Sequence, residues 1–139
     1  MTQFIGKWTG DGDSYTNYEE FAKASGVSEE LIEKFRNAKS TLEFKQDGEY
    51  WMCEASSDVT PSKCYKFKSG EEVSTTGPFG KGLKFTITID SNSKMTMKEQ
   101  SELMGWKTVK VVREIKGDKL VTTMELENGI QMTAEMTKC

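Results

Sequence analysis

Beyond about Ala38 the apolar pattern of this chain changes period, from helical spacing to alternation, and it keeps alternating almost to the C-terminus. One short helical block followed by strands joined at tight-turn dipeptides leaves few folds open. Hairpin-connected strands with no helix between them lie beside their sequence neighbours, and a long sheet of them hides its edges by closing on itself. The pattern predicts an all-β fold: a closed, ten-stranded antiparallel up-and-down β-barrel with a helix-turn-helix lid near one end. A barrel of that size has room for one small apolar molecule.

The helical block runs from about Tyr18 to Ala38. Thr16 stands three residues before Glu19, a capping-box spacing, and Tyr18, Phe21, Ala22 and Ala24 form an apolar face that stops at Gly26. Ser28 suits the cap of a second helix, with Glu29 and Glu30 in its first turn and Leu31, Ile32, Phe35 and Ala38 on one side. In the strands, Leu42 and Phe44 precede an Asp47-Gly48 turn, and Trp51, Cys53 and Ala55 alternate with Met52 and Glu54. Tyr65 and Phe67, then Leu83, Phe85, Ile87 and Ile89, then Met95 and Met97 continue the inner rows. Val109, Val111, Arg113 and Ile115, then Thr122, Met124 and Leu126, then Met132, Ala134 and Met136 complete them. Gly77-Pro78-Phe79-Gly80 reads as a turn between hairpins.

The 139 residues suffice for one domain, 1–139, and no apolar run approaches the ~20 residues that span a bilayer. A net charge of −3 with interspersed signs offers nucleic acid no basic field. Lys63, Lys66 and Lys68 are the nearest thing to a patch for transient membrane contact, though such a row is more often a solvated strand face. There is no histidine, which removes the commonest general base and the commonest transition-metal ligand. Cys53, Cys64 and Cys139 are an odd number without metal-type spacing, as expected of reduced thiols. Cys53 and Cys64 flank the Ser57-Asp58-Val59 turn, but their phases place them on opposite sheet faces, against a disulfide. The start, Met1-Thr2-Gln3-Phe4-Ile5, lacks a basic and an apolar leader region, so a cytoplasmic location is expected; a monomer with no cofactor and no metal is expected as well.

Gly6-Lys7-Trp8, Asn17-Tyr18-Glu19-Glu20-Phe21, Lys68-Ser69-Gly70-Glu71-Glu72 with Thr75-Thr76, and Val112-Arg113-Glu114-Ile115 before Gly117-Asp118-Lys119-Leu120 resemble the intracellular fatty-acid-binding and retinoid-binding proteins nearly end to end. The resemblance implies a clam-shaped ten-stranded barrel, a helical lid beside a ligand portal, and reversible carriage of fatty acids, retinoids or similar molecules. Two departures stand out. Thr9-Gly10-Asp11-Gly12-Asp13 is two residues longer than the family spacing, so the first strand should bulge or end early. The Arg-x-Tyr pair with which fatty-acid-binding members face the cavity is replaced by Ala134-Glu135-Met136, and Glu135 falls on the outer face.

Arg113 is the sharpest candidate, in phase with Val109, Val111 and Ile115 on the inner face. Its planar fork of donors suits a ligand carboxylate, and its family counterpart lies in the cavity. Alternatively it pairs with an inward acid such as Glu99, in phase with Met95 and Met97, or holds cavity water. Lys63, in phase with Tyr65 and Phe67, either attracts an acid head group at the portal or snorkels outward. Met95, Met97, Met124, Met132 and Met136 adapt to an irregular ligand or simply fill core, and with Ala134 they make the side opposite the usual anchor apolar and roomy. Trp51, Cys53, Tyr65, Phe67, Phe85 and Val111 are further candidate lining. Trp8 should plug the end near the chain start. Leu31, Ile32 and Phe35 form a gate, or pack the lid onto the barrel.

These residues describe a carrier of one small hydrophobic ligand and not an enzyme. Loss of the Arg-x-Tyr pair shifts the expected ligand toward a bulkier or neutral one, such as a carotenoid, bile pigment or sterol-like molecule. Outside the carrier class stand a protein-interaction or storage barrel, and a cavity isomerase with Glu99 as base and Arg113 as stabiliser.

Overall fold

A computed structural model describes residues 3–11, 14–77 and 79–139. Gly12, Asp13 and Pro78, on which parts of the first-strand and loop expectations fall, lie outside the described residues, as do Met1 and Thr2. β1 (Gly6–Gly10) leads into α1 (Tyr18–Ser25) and α2 (Glu29–Phe35). Then follow β2 (Ser40–Asp47), β3 (Tyr50–Ser57), β4 (Thr60–Lys68), β5 (Glu72–Thr76), β6 (Gly82–Ser91) and β7 (Lys94–Ser101). A 3₁₀ turn (Glu102–Met104) precedes β8 (Thr108–Lys116), β9 (Lys119–Leu126) and β10 (Gln131–Lys138).

The strands form one antiparallel sheet in the order β4-β3-β2-β1-β10-β9-β8-β7-β6-β5. β1 closes onto β10 with Trp8 opposite Lys138 and Thr9 opposite Thr137. β4 and β5 remain unpaired edges, so the barrel is nearly closed, which corrects the expectation of full closure. Side chains bridge the gap: the Phe85 ring meets Tyr65 at 5.7 Å and Phe67 at 6.3 Å, both edge-on. Toward the β4–β5 turn the Gly70 N–H donates to the Ile87 carbonyl at 2.8 Å, and the Ile89 N–H donates to Ser69 Oγ at 2.9 Å. The two edges are thereby blunted without a ladder between them.

The lid differs from the capping-box expectation. Asn17, not Thr16, caps α1, with φ 62° and no side-chain cap bond. The backbone of Thr16 bridges to Thr133, and Asn17 Nδ2 donates to the Gln131 carbonyl at 2.8 Å. Attachment to β10 thus holds the backbone of Thr16 and the side chain of Asn17, and neither side-chain oxygen caps the helix. Gly26, at φ 86°, ends α1 where a side chain would be strained. Ser28 Oγ does accept from the Leu31 N–H, at 3.3 Å. Arg36 ties the two helices together, pairing with Glu19 of α1 and with Glu33 of α2, while the Tyr18 hydroxyl donates to the Ile32 carbonyl at 2.7 Å.

Opposite the lid the barrel interior is solid. Phe4, Trp8, Phe44, Phe67, Met95 and Leu120 are buried almost completely. Trp8 Nε1 donates to the Phe4 carbonyl at 3.0 Å, and the Phe4 ring meets Phe44 edge-on at 6.0 Å. β1 ends at Gly10, the early end expected of the glycine-rich stretch. A Cβ at Gly10 would stand 2.6 Å from the Glu135 carbonyl oxygen and 3.0 Å from Met136 Cγ. Gly10→Ala is therefore expected to destabilise the protein by about 1–3 kcal/mol, the usual toll of forcing atoms into packed space. Urea denaturation measures it, and an unchanged midpoint would contradict so close an approach of β1 to β10.

Candidate functional site

Between the solid end and the lid lies a cavity of about 530 Å³. Pairing register explains its wall. Met95, Arg113, Thr122 and Ala134 stand side by side across β7, β8, β9 and β10 on the inner face. The next inner row toward the lid is Met97, Val111, Met124 and Met132. Above it, Glu99 lies between Phe85 and Val109.

Most of the candidate residues meet at this cavity. Cys53, Tyr65, Phe85, Met97, Glu99 and Arg113 line it, as do Met124, Met132, Ala134 and Met136. Leu31 and Phe35 of α2 line its lid side. Five candidates are off the wall. Trp51 and Phe67 face inward but stack on each other at 6.3 Å within the solid end, since strand phase assigns a face and not a height. Val111 is 1% exposed, a short side chain flanked by the longer Met97 and Met124. Lys63 sits on the edge strand and reaches across the gap, donating from Nζ to Thr76 Oγ1 at 3.4 Å. Ile32 is fully buried beneath the lid, the packing alternative for that position. Met95 is core filler, whereas the other four methionines border the cavity.

The sequence reading missed several wall residues. Phe79 is more than part of a simple turn: its ring meets Phe35 edge-on at 6.0 Å and lines the cavity, so the β5–β6 loop and α2 meet at the cavity's lid side. Leu103 and Met104, in the 3₁₀ turn, also reach it. An aromatic ring between loop glycines and an apolar pair between strands were the available signals. Thr122, in phase with Met124, places a buried hydroxyl beside Arg113.

The electrostatics are sparse. Arg113 Nε is buried with no hydrogen-bond partner. Among the described residues no ion pair joins Arg113 to Glu99: the Met97–Val111 row separates them, so the pairing alternative is not realised. Burial pushes the Glu99 carboxyl above the usual carboxylate range, with Arg113 pulling the other way. Burial also raises the Tyr65 phenol, helped by Glu99. The Cys53 thiol is pushed up to about 11 by burial, again opposed by Arg113. Cys53 and Cys64 are both free, one buried and one exposed, on opposite faces as phase required. Because the thiolate is the nucleophile, iodoacetamide at neutral pH should alkylate Cys64 and Cys139 at least about tenfold faster than Cys53. Peptide mass spectrometry reads the rates, and equal labelling would contradict the shielding.

A nearly closed up-and-down barrel with an apolar cavity under a helical lid defines a calycin-type lipid-binding barrel. The chain belongs to the lipocalin / cytosolic fatty-acid binding protein family, whose model matches residues 2–123. It is 35% identical over 123 residues to fatty acid-binding protein 1 of Fasciola gigantica, covering 88% of this chain and 89% of the relative. Its fold matches that of a Schistosoma mansoni fatty acid binding protein in complex with arachidonic acid, with TM-score 0.87, 24% identity, and coverage of 100% of this chain and 98% of that one. It matches equally the fold of secretory abundant heat soluble protein 4 from Ramazzottius varieornatus, with TM-score 0.86, 22% identity, and coverage of 100% and 96%. The first two proteins are named for binding and none of the three for a reaction, in keeping with the non-enzymatic reading.

Proposed function

We propose that this protein is a cytoplasmic, monomeric carrier that takes up one long-chain fatty acid, or a ligand of that kind, non-covalently in its barrel. The observation that carries this reading is the unpartnered, buried Nε of Arg113 on the wall of a mainly apolar cavity. Among the described residues no counter-ion pairs with the guanidinium held there, and a ligand carboxylate supplies one. Burial of the ligand's hydrocarbon, at about 25 cal/mol per Å² removed from water, provides the remaining drive. Leu31, Phe35 and Phe79 are the gate through which it passes.

With Ala134 and Met136 in place of a second polar anchor, Arg113 works alone beside Thr122. That favours a single-point grip on the acid and leaves space for a bulkier hydrocarbon body, retinoid or similar, over a tightly folded chain. The family description and the three free thiols support the cytoplasmic assignment. Titration of delipidated protein with oleic acid and with oleyl alcohol tests the reading. One acid molecule should bind per chain, more tightly than the alcohol. Saturation by neither ligand would rule the carrier role out for this class of lipid.

A further inference from the structure

We propose that Glu99 and Tyr65 form a second polar subsite that reads a hydroxyl group along the ligand chain, so that the preferred ligand is a hydroxylated long-chain fatty acid with its carboxylate at Arg113. This rests on the fatty-acid reading above and narrows it. Both side chains line the cavity. Phe85 organises them: it is the cross-strand partner of Glu99, and its ring packs edge-on against Tyr65 at 5.7 Å. The carboxyl and the phenol thus flank one phenyl group. Neither makes a hydrogen bond or ion pair with any described residue, although Glu99 raises the Tyr65 phenol and both sense the buried surroundings.

Glu99 is four residues along β7 from Met95, the partner of Arg113, or roughly 13 Å of strand. The two sites therefore stand at different heights on one apolar wall, separated by methionine and valine. An unsubstituted fatty acid would satisfy Arg113 and cover Glu99 with hydrocarbon, stripping a polar group of water with nothing in return. A hydroxyl part-way along the chain removes that penalty: its O–H donates to Glu99, and its oxygen accepts from the Tyr65 phenol. The match holds in either protonation state of Glu99, since a carboxylate accepts and a carboxylic acid both donates and accepts.

The test compares ricinoleic acid with oleic acid and 10-hydroxystearic acid with stearic acid, by competition against a fluorescent fatty acid on delipidated full-length protein. Wild type, Glu99→Leu and Glu99→Gln are measured in parallel. At least one hydroxy acid should bind wild type roughly three- to tenfold tighter than its parent, the worth of one hydrogen bond to a desolvated group. Glu99→Leu should abolish that preference, so that each hydroxy acid binds it no more tightly than its parent acid. Glu99→Gln, which keeps an acceptor oxygen, should retain most of it. If wild type prefers neither hydroxy acid, or the preference survives Glu99→Leu, the subsite is wrong while binding of the parent acids still upholds the carrier. If no acid binds at all, both fall together.

Discussion

Arg113→Ala is expected to weaken oleic acid binding about 10- to 100-fold, corresponding to roughly 1.5–3 kcal/mol for a hydrogen bond to a charged group, while oleyl alcohol changes by less than about threefold. The size of the loss follows from the isolation of the guanidinium. With Nε buried and unpartnered, and Glu99 a row too far for an ion pair, no described residue competes with a ligand carboxylate for the guanidinium. The cavity's other lining cation, Lys81, belongs to the β5–β6 loop beside Phe79, and beside Arg113 itself Ala134 and Met136 occupy the positions where fatty-acid-binding members carry the Arg-x-Tyr pair. The same isolation predicts an opposite effect on the unliganded protein. Arg113→Met replaces an incompletely satisfied polar group by an apolar one of similar length, so it should leave stability unchanged or raise it by up to about 1 kcal/mol. Affinity loss with no stability loss is the signature of a binding residue. Equal losses for acid and alcohol would show that Arg113 shapes the cavity without anchoring a charge.

Trp8→Ala should lower the unfolding free energy by about 3–5 kcal/mol, the range for deleting a large buried aromatic. Trp8 is 2% exposed, sits where β1 closes the barrel onto β10, and spends its indole N–H on the Phe4 carbonyl at 3.0 Å. A loss of that size is a large fraction of the 5–15 kcal/mol typical of a folded domain. Trp8→Phe keeps an aromatic ring and gives up mainly the hydrogen bond and some volume, so its loss should be smaller. Trp8 does not line the cavity, so ligand affinity of whatever fraction stays folded should be unchanged. Urea unfolding followed by circular dichroism separates these variants. A loss under about 1 kcal/mol for Trp8→Ala would mean that this end of the barrel is less tightly packed than its burial indicates.

The strands were legible because alternation is a local property. Leu83 through Ile89, and Val109 through Ile115, announce face and phase without any knowledge of partners. Gly26 and Ser28 likewise mark the helix ends they form. The capping box at Thr16 failed because a long-range bridge to Thr133 took precedence over local chemistry. Trp51 and Phe67 were placed on the correct face and at the wrong depth. Phe79 and the Leu103–Met104 pair were passed over because loop residues carry no period to read.

By itself, then, the sequence determined the number of strands, the helical lid and the side of the sheet to which Arg113, Glu99 and the methionines belong. Those follow from which residue succeeds which along one chain. The tertiary structure decided the gap between β4 and β5, the height at which solid core gives way to cavity, and the pairing of Phe35 with Phe79 at the lid side of the cavity. It also decided that Arg113 and Glu99 face the same space without touching. Those are properties of register and of contacts between residues far apart in the chain, which the folded barrel fixes by placing each strand against its neighbours.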